Sequence, residues 1–195
     1  YGGDSMSATI FWQLRLPRTL LGLMVGSGLA LAGACYQGLL RNPLADPYIL
    51  GVSSGAAAGA VLAALTEPRY ISVYAFVGAA VTVGLVLGLS YRQTFRGTTH
   101  LILAGVMINA LFSALVTFGM LLLGQSMSGV MFWLTGAIRP LAYAELSRLA
   151  LGWTLASLAL VAAAPKLNVM LLGDEVARSL GVDAPRLRVL LFLVS

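Results

Sequence analysis

The sequence predicts an all-α, polytopic bundle of membrane-crossing helices. Three observations carry that expectation. Apolar types make up 59% of the 195 residues and charged types only 10%, whereas a soluble domain is roughly a quarter charged. The apolar residues fall in serial windows, each close to the about 20 residues that cross a ~30 Å hydrocarbon layer. The basic residues lie almost wholly between those windows, where topology signals belong. With a mean hydropathy of +0.91, the composition leaves almost no room for a soluble fold. It also excludes disorder, which needs low hydrophobicity and high net charge. A charge of +5 and a pI near 9.8 would suggest nucleic acid in a soluble protein; with this placement no nucleic-acid partner is expected. The single cysteine, Cys35, excludes a disulfide framework, a thiolate zinc cluster and an iron–sulfur site, and no metal site is expected.

Residues 1–10 are polar and lack the basic region, apolar stretch and cleavage site of a signal peptide. They are expected to follow an element of a longer chain. Five spans are expected at residues 19–40, 48–66, 71–90, 101–123 and 143–164. The first four hold no Asp, Glu, Lys or Arg, and the fifth holds Glu145 and Arg148 only at its start. Residues 130–138 are apolar but too short to cross, and read as an interfacial or re-entrant piece with Trp133 at a boundary. A sixth apolar run starts at Val189 and reaches only Ser195. The 195 residues are therefore expected to be an interior stretch of a larger membrane protein, one partial transmembrane domain.

Five spans put the loops on alternate sides. Arg15, Arg18, Arg69, Arg139 and Arg148 fall on one side; Arg41, Arg92, Arg96, Lys166, Arg178, Arg186 and Arg188 fall on the other. The second side is favoured as cytoplasmic. Arg15 and Arg18 are then anomalous on the outside, which invites a functional reading. Gly22-x-x-x-Gly26, Gly51-x-x-x-Gly55-x-x-x-Gly59 and Gly84-x-x-x-Gly88 each place glycines on one helix face, allowing close backbone approach in lipid. The mid-depth polar groups Gln37, Asn109, Ser113 and Thr117 are all neutral. Ion-coupled carriers and proton pumps usually place ionisable groups there, so the energy for any transport is expected from elsewhere.

Four segments call for a choice of reading. Gly51-Val-Ser53-Ser-Gly55 has the G-x-S-x-G spacing of a nucleophile elbow, but it opens an apolar helix and His100 is the only histidine, so small-residue packing explains it better. Residues 42–47, Asn-Pro-Leu-Ala-Asp-Pro, form a tight connector with Asp46 as N-cap and Pro47 at the first helical position; the alternative is a constriction at the end of a pathway. Residues 92–100 form a basic loop whose threonines can cap the next helix. In residues 173–181, Asp174 can cap a short helix, Glu175 suits its first turn and Gly181 can close it. Asp183 and Pro185 then start another helix. A helix that short is unstable alone; it is either a loop or an element that docks on a partner.

Taken together and in this order, Arg15-Leu-Pro-Arg18-Thr, Gln37 to Pro47 running on to Gly51-Val-Ser-Ser-Gly55, Leu103-Ala-Gly-Val106 and Leu172-Gly-Asp-Glu-Val-Ala-Arg-Ser-Leu-Gly181 resemble the permease subunits of the type II ABC importers for iron–siderophore complexes, haem and cobalamin. The likeness covers nearly the whole chain. It implies that family's permease fold of ten spans, with this stretch running from just before the second span to the start of the seventh. It implies a multi-pass protein of the bacterial inner membrane that assembles with a second permease subunit, as a homodimer, two cytoplasmic ATPase subunits and a periplasmic substrate-binding protein. The chain would be a transport subunit rather than an enzyme and would bind no cofactor; ATP and Mg would sit on the ATPase.

Residue by residue, the resemblance implies that Arg15 and Arg18 receive acidic residues of the binding protein, which would account for the charge anomaly. It implies a cytoplasmic gate at Asn42, Leu44, Thr98 and Thr99, and a pathway lined by Asn109 and Ser113. It implies ATPase coupling through Gly173, Asp174, Glu175, Arg178 and Gly181. The rival readings are an ion-coupled secondary carrier, a membrane enzyme and a fragment without activity of its own.

Overall fold

The computed structural model describes residues 3–92, 98–124 and 127–195, apart from the side chains of 3–5, 47, 49, 90–92, 98–101 and 127. Among the described residues all regular structure is helical. The chain forms two compact units, residues 1–39 with 137–195, and residues 40–136.

In the first unit, helix α1 (Gly3–Ile10), a π-turn (Phe11–Arg15) and helix α2 (Leu16–Leu40) run on without a break. Pro17 explains the π-turn. Proline has no N–H to give the preceding turn and its ring crowds the carbonyl four residues back, so the helix must widen or kink. Here it widens, and the Leu16 amide reaches the Phe11 carbonyl five residues back. The Trp12 carbonyl thereby loses its usual partner, Leu16, and the residue five ahead of it is Pro17. The Tyr143 hydroxyl donates to this Trp12 carbonyl instead. The expected start at residue 19 therefore differs from the observed helix, which continues through the two arginines and whose apolar stretch opens at Met6.

Helix α7 (Tyr143–Leu171) carries Pro165 inside it and runs on to Leu171, past the expected end at 164. Large side chains of this unit bridge to small ones. Trp153 lies over Gly28, where an added Cβ would sit 3.5 Å from the indole, and Leu167 crowds Gly38, where it would sit 2.9 Å away. Two short helices follow, α8 (Asp174–Ser179) and α9 (Ala184–Val194). Phe192 of α9 meets Tyr36 of α2 with ring centroids 5.3 Å apart.

The second unit starts with a single 3-10 turn, Pro47–Leu50, and continues through α3 (Val52–Thr66), α4 (Ile71–Arg92), α5 (Thr98–Leu123) and α6 (Met127–Leu134). Asp46 caps the 3-10 turn by accepting from the Tyr48 amide at 2.8 Å, with Pro47 next in line. Gly51, at φ +76°, then swings the chain into α3. The expected span at 48–66 is thus divided. Its α-helical part has 15 residues, about 22 Å, short of a ~30 Å hydrocarbon layer. Among the described residues four helices are long and apolar enough to cross: Met6–Leu40, Pro68–Leu89, Ile102–Leu123 and Tyr143–Leu171.

Helices α3 and α4 touch backbone to backbone. A Cβ on Gly55 would lie 2.7 Å from the Gly78 carbonyl oxygen, and one on Gly59 would strike the Tyr74 carbonyl. Thr82 is fully buried beside Gly55 and returns its hydroxyl to the Gly78 carbonyl at 2.9 Å, so it can sit in an apolar seam. The expected glycine stripes at Gly84 and Gly88 behave differently: a Cβ at either, or at Gly26, would meet nothing within 4 Å. The residue that completes the seam is Gly78, which belongs to none of the three expected stripes.

Candidate functional site

Arg15 ends the π-turn and Arg18 lies in the first turn of α2; both are exposed. Three residues apart on a helix, they share a face. The buried Pro17 between them anchors the turn that sets their relative angle. The uncharged 22 residues from Thr19 to Leu40 rise about 33 Å, close to the hydrocarbon thickness. Both arginines precede this uncharged stretch, and a guanidinium offers several N–H donors.

At the other end of α2 the chain turns sharply. Arg41 takes a left-handed φ of +47°. The half-buried Asn42 accepts from the Leu44 amide through Oδ1 at 2.9 Å, and its carbonyl accepts from the Ala45 amide at 3.0 Å. The Asn42 side chain is thus committed to shaping the turn, and Leu44 is left 80% exposed at its tip. Thr98 and Thr99 open α5, but their side chains lie outside the described residues, as does the loop 93–97.

The turn and the expected pathway helix meet directly. Gly51 packs on the backbone of Asn109, where an added Cβ would lie 3.2 Å from the Asn109 nitrogen. Asn109 is half-buried in this seam, while Ser113, one turn along the same face of α5, is exposed. In the second unit the Asn42–Leu44 turn leads along the chain through the capped 3-10 turn to Gly51, which is the residue that meets Asn109.

In the first unit, α8 lies between two glycines of positive φ, Gly173 and Gly181. Gly173, at φ +123°, occupies its N-cap position. Asp174, expected there as a side-chain cap, is instead the first helical residue, and its carboxylate meets Arg188 of α9 at 3.4 Å. The positive φ at residue 173 suits glycine, so Gly173 takes the N-cap place and Asp174 falls inside the first turn. At the far end the Gly181 amide donates to the Arg178 carbonyl at 3.0 Å and the Val182 amide to Ala177 at 2.8 Å, with Gly181 at φ +79°. This is the Schellman closure expected for a helix followed by glycine. Ala177 is wholly buried, while Glu175 and Arg178 are exposed. Asp183 caps α9 by accepting from the Arg186 amide at 3.2 Å. Sequence reasoning missed Arg188: seen only as one of the basic loop residues, it carried no signal that it turns inward. Ser53, the third residue of the G-x-S-x-G segment, is half-buried in the first turn of α3. Among the described residues no group of three or more His, Cys, Asp or Glu side chains comes together.

Residues 1–195 match the FecCD transport family. The chain is 37% identical over 199 residues to the cobalamin import system permease of Halobacterium salinarum, covering 100% of this chain and 54% of that protein. It is also 37% identical to the Fe(3+)-citrate import system permease of Bacillus subtilis, covering 100% of this chain and 59% of the relative. A solved structure described as a metal-chelate type ABC transporter in an inward-facing conformation superposes with a TM-score of 0.88 at 32% identity, over 100% of this chain and 63% of that one. The chain thus spans somewhat over half the length of the curated relatives it matches. The helical fold is that of this transporter class. With four helices of crossing length and a match along all its residues, this multi-pass membrane chain belongs to the FecCD transport family.

Proposed function

We propose that the protein is the membrane-spanning permease subunit of an ATP-driven importer that carries an iron chelate, such as a siderophore complex or haem, or cobalamin. Cargo arrives on a periplasmic binding protein and leaves into the cytoplasm across the bacterial inner membrane. Two copies of the permease pair in the lipid bilayer, and two cytoplasmic ATPase subunits hold the ATP and Mg. Hydrolysis belongs to those subunits and not to this chain. The relatives named for cobalamin and for Fe(3+)-citrate support the cargo class.

The observation that carries this reading is α8. A six-residue helix, unable to persist alone, is held between α7 and α9, closed at its far end by Gly181, and offers Glu175 and Arg178 outward. That is the build of an element meant to be pushed by another protein. ATP binding draws the ATPase pair together and displaces α8, which biases a two-state bundle between outward and inward openings. Arg15 and Arg18 receive carboxylates of the binding protein. Asn42, Leu44, Thr98 and Thr99 close the cytoplasmic end. Asn109 and Ser113 line a neutral route, suited to a bulky cargo that must be released rather than held.

Two measurements test this. Cysteines at Glu175 and Arg178 should cross-link to the ATPase subunit in membranes; cross-linking to no nucleotide-hydrolysing protein overturns the reading. Reversal of Arg15 and Arg18 to glutamate should weaken binding-protein affinity by about 2 kcal/mol and flatten its salt dependence. An unchanged affinity removes the two arginines from the docking site.

A further inference from the structure

Two arginines stand two residues apart at the start of α9 and face different ways. Arg186 is outward, with its side chain 90% exposed and paired to Asp183 at 3.1 Å, one turn back on its own helix. Arg188 is inward, with its side chain only 12% exposed, and its Nη2 reaches both carboxylate oxygens of Asp174 at 3.4 Å. Its Nε is buried and makes no hydrogen bond. A guanidinium so far from water is costly without its counter-charge, so Asp174 and Arg188 hold each other in place. Asp174 is the first residue of α8, and Arg188 lies in α9 fourteen residues on. The pair therefore ties the small helix to the next long element directly, bypassing the 180–183 turn. Ala177 of α8 and Ala184 and Leu191 of α9 are buried as well, so both helices bury an apolar side.

We propose that Arg188 is a positioning residue: through Asp174 it locks α8 to α9, so that the two helices move as one body when the ATPase engages α8. This rests on the reading of α8 as the ATPase-facing element. Pushing a helix tethered only by a glycine-containing turn would bend the turn. Pushing one that is pinned by an ion pair carries α9 with it, and α9 leads toward the bilayer.

The test uses the full-length permease with its ATPase in lipid nanodiscs. Spin labels on cysteines at Ser179 and Leu190, in a Cys35→Ala background, report the α8–α9 distance distribution. Parallel assays report ATPase affinity and cargo moved per ATP hydrolysed. Arg188→Ala should broaden the distribution and lower cargo per ATP by about tenfold, a coupling loss within the usual range, with ATPase affinity unchanged. Because that variant also removes the packing of a largely buried side chain, Asp174→Asn with Arg188→Met provides a second route that keeps a side chain in the space and leaves no unpaired charge, and should show the same uncoupling. Exchanging the pair, Asp174→Arg with Arg188→Asp, should restore both readouts, and Arg186→Ala should change neither. A distribution that stays narrow in Arg188→Ala and in the Asn/Met pair overturns the proposal. Failure of the wild-type permease to bind any ATPase would overturn the functional reading instead, while the spin-label distances still decide the α8–α9 lock.

Discussion

The two units are built from the same apolar alphabet but joined in opposite ways. In residues 40–136, α3 and α4 meet where both have discarded their side chains, at Gly55, Gly59 and Gly78, so main chain rests on main chain. In residues 1–39 and 137–195, α2 and α7 meet through Trp153 on Gly28 and Leu167 on Gly38. A cavity of about 350 Å³ remains beside them, lined by Leu20, Leu23, Met24, Tyr143, Leu146 and Trp153. Lipid tails are as apolar as leucine, so in a bilayer the close fit itself supplies most of the association energy. The glycine seam has that fit and tolerates no added atom. The other unit relies on single large side chains and on polar ties, such as Tyr143 to the Trp12 carbonyl and Arg188 to Asp174.

The sharpest way to break this comparison is at the seam. Gly59→Leu should destabilise the protein by about 3 kcal/mol, since the new side chain runs into the Tyr74 backbone, which cannot move aside. Unfolding by SDS titration from mixed micelles measures this, and a near-neutral result would mean that α3 and α4 are not held backbone to backbone. Tyr143→Phe comes next, at about 1 kcal/mol, the worth of one hydrogen bond to a carbonyl with no helical partner. If Pro17 is what frees that carbonyl, Pro17→Ala restores an amide and the cost of Tyr143→Phe should shrink in the double variant. Equal costs in both backgrounds would sink the explanation of the π-turn. The smallest effect is expected at Gly84→Ala, within about 0.5 kcal/mol, because the position faces open space within this chain. A large loss appearing only in the assembled transporter would mark Gly84 as a contact with another subunit.

Much of the candidate site was legible at the level of single turns. Asp46 with Pro47, Gly181 after a short helix, and Asp183 before Pro185 each act through atoms within a few residues, and local chemistry of that kind is written in local sequence. The helix boundaries were less legible. Pro17 was free to end a helix or to widen it, and Gly51 to continue a span or divide it. Each outcome turned on a partner far along the chain, Tyr143 in one case and the Asn109 backbone in the other. The glycine stripes show the same limit: three had equivalent spacing, yet the one facing Gly78 is packed backbone to backbone while Gly26, Gly84 and Gly88 meet nothing within 4 Å.

By itself, then, the order of residues determined that this is a charge-poor helical membrane chain, where most of its helices run, and the family to which its motifs belong. Those properties follow from hydropathy, charge placement and caps, each a sum over neighbours. Tertiary structure alone decided that Gly78 and Thr82 close the seam, that Tyr143 answers the carbonyl released by Pro17, and that Arg188 turns inward while Arg186 turns out. The reason is physical: a carbonyl released from its helix, a bare glycine face or a desolvated guanidinium is stable only beside a particular partner, and that partner lies on another helix.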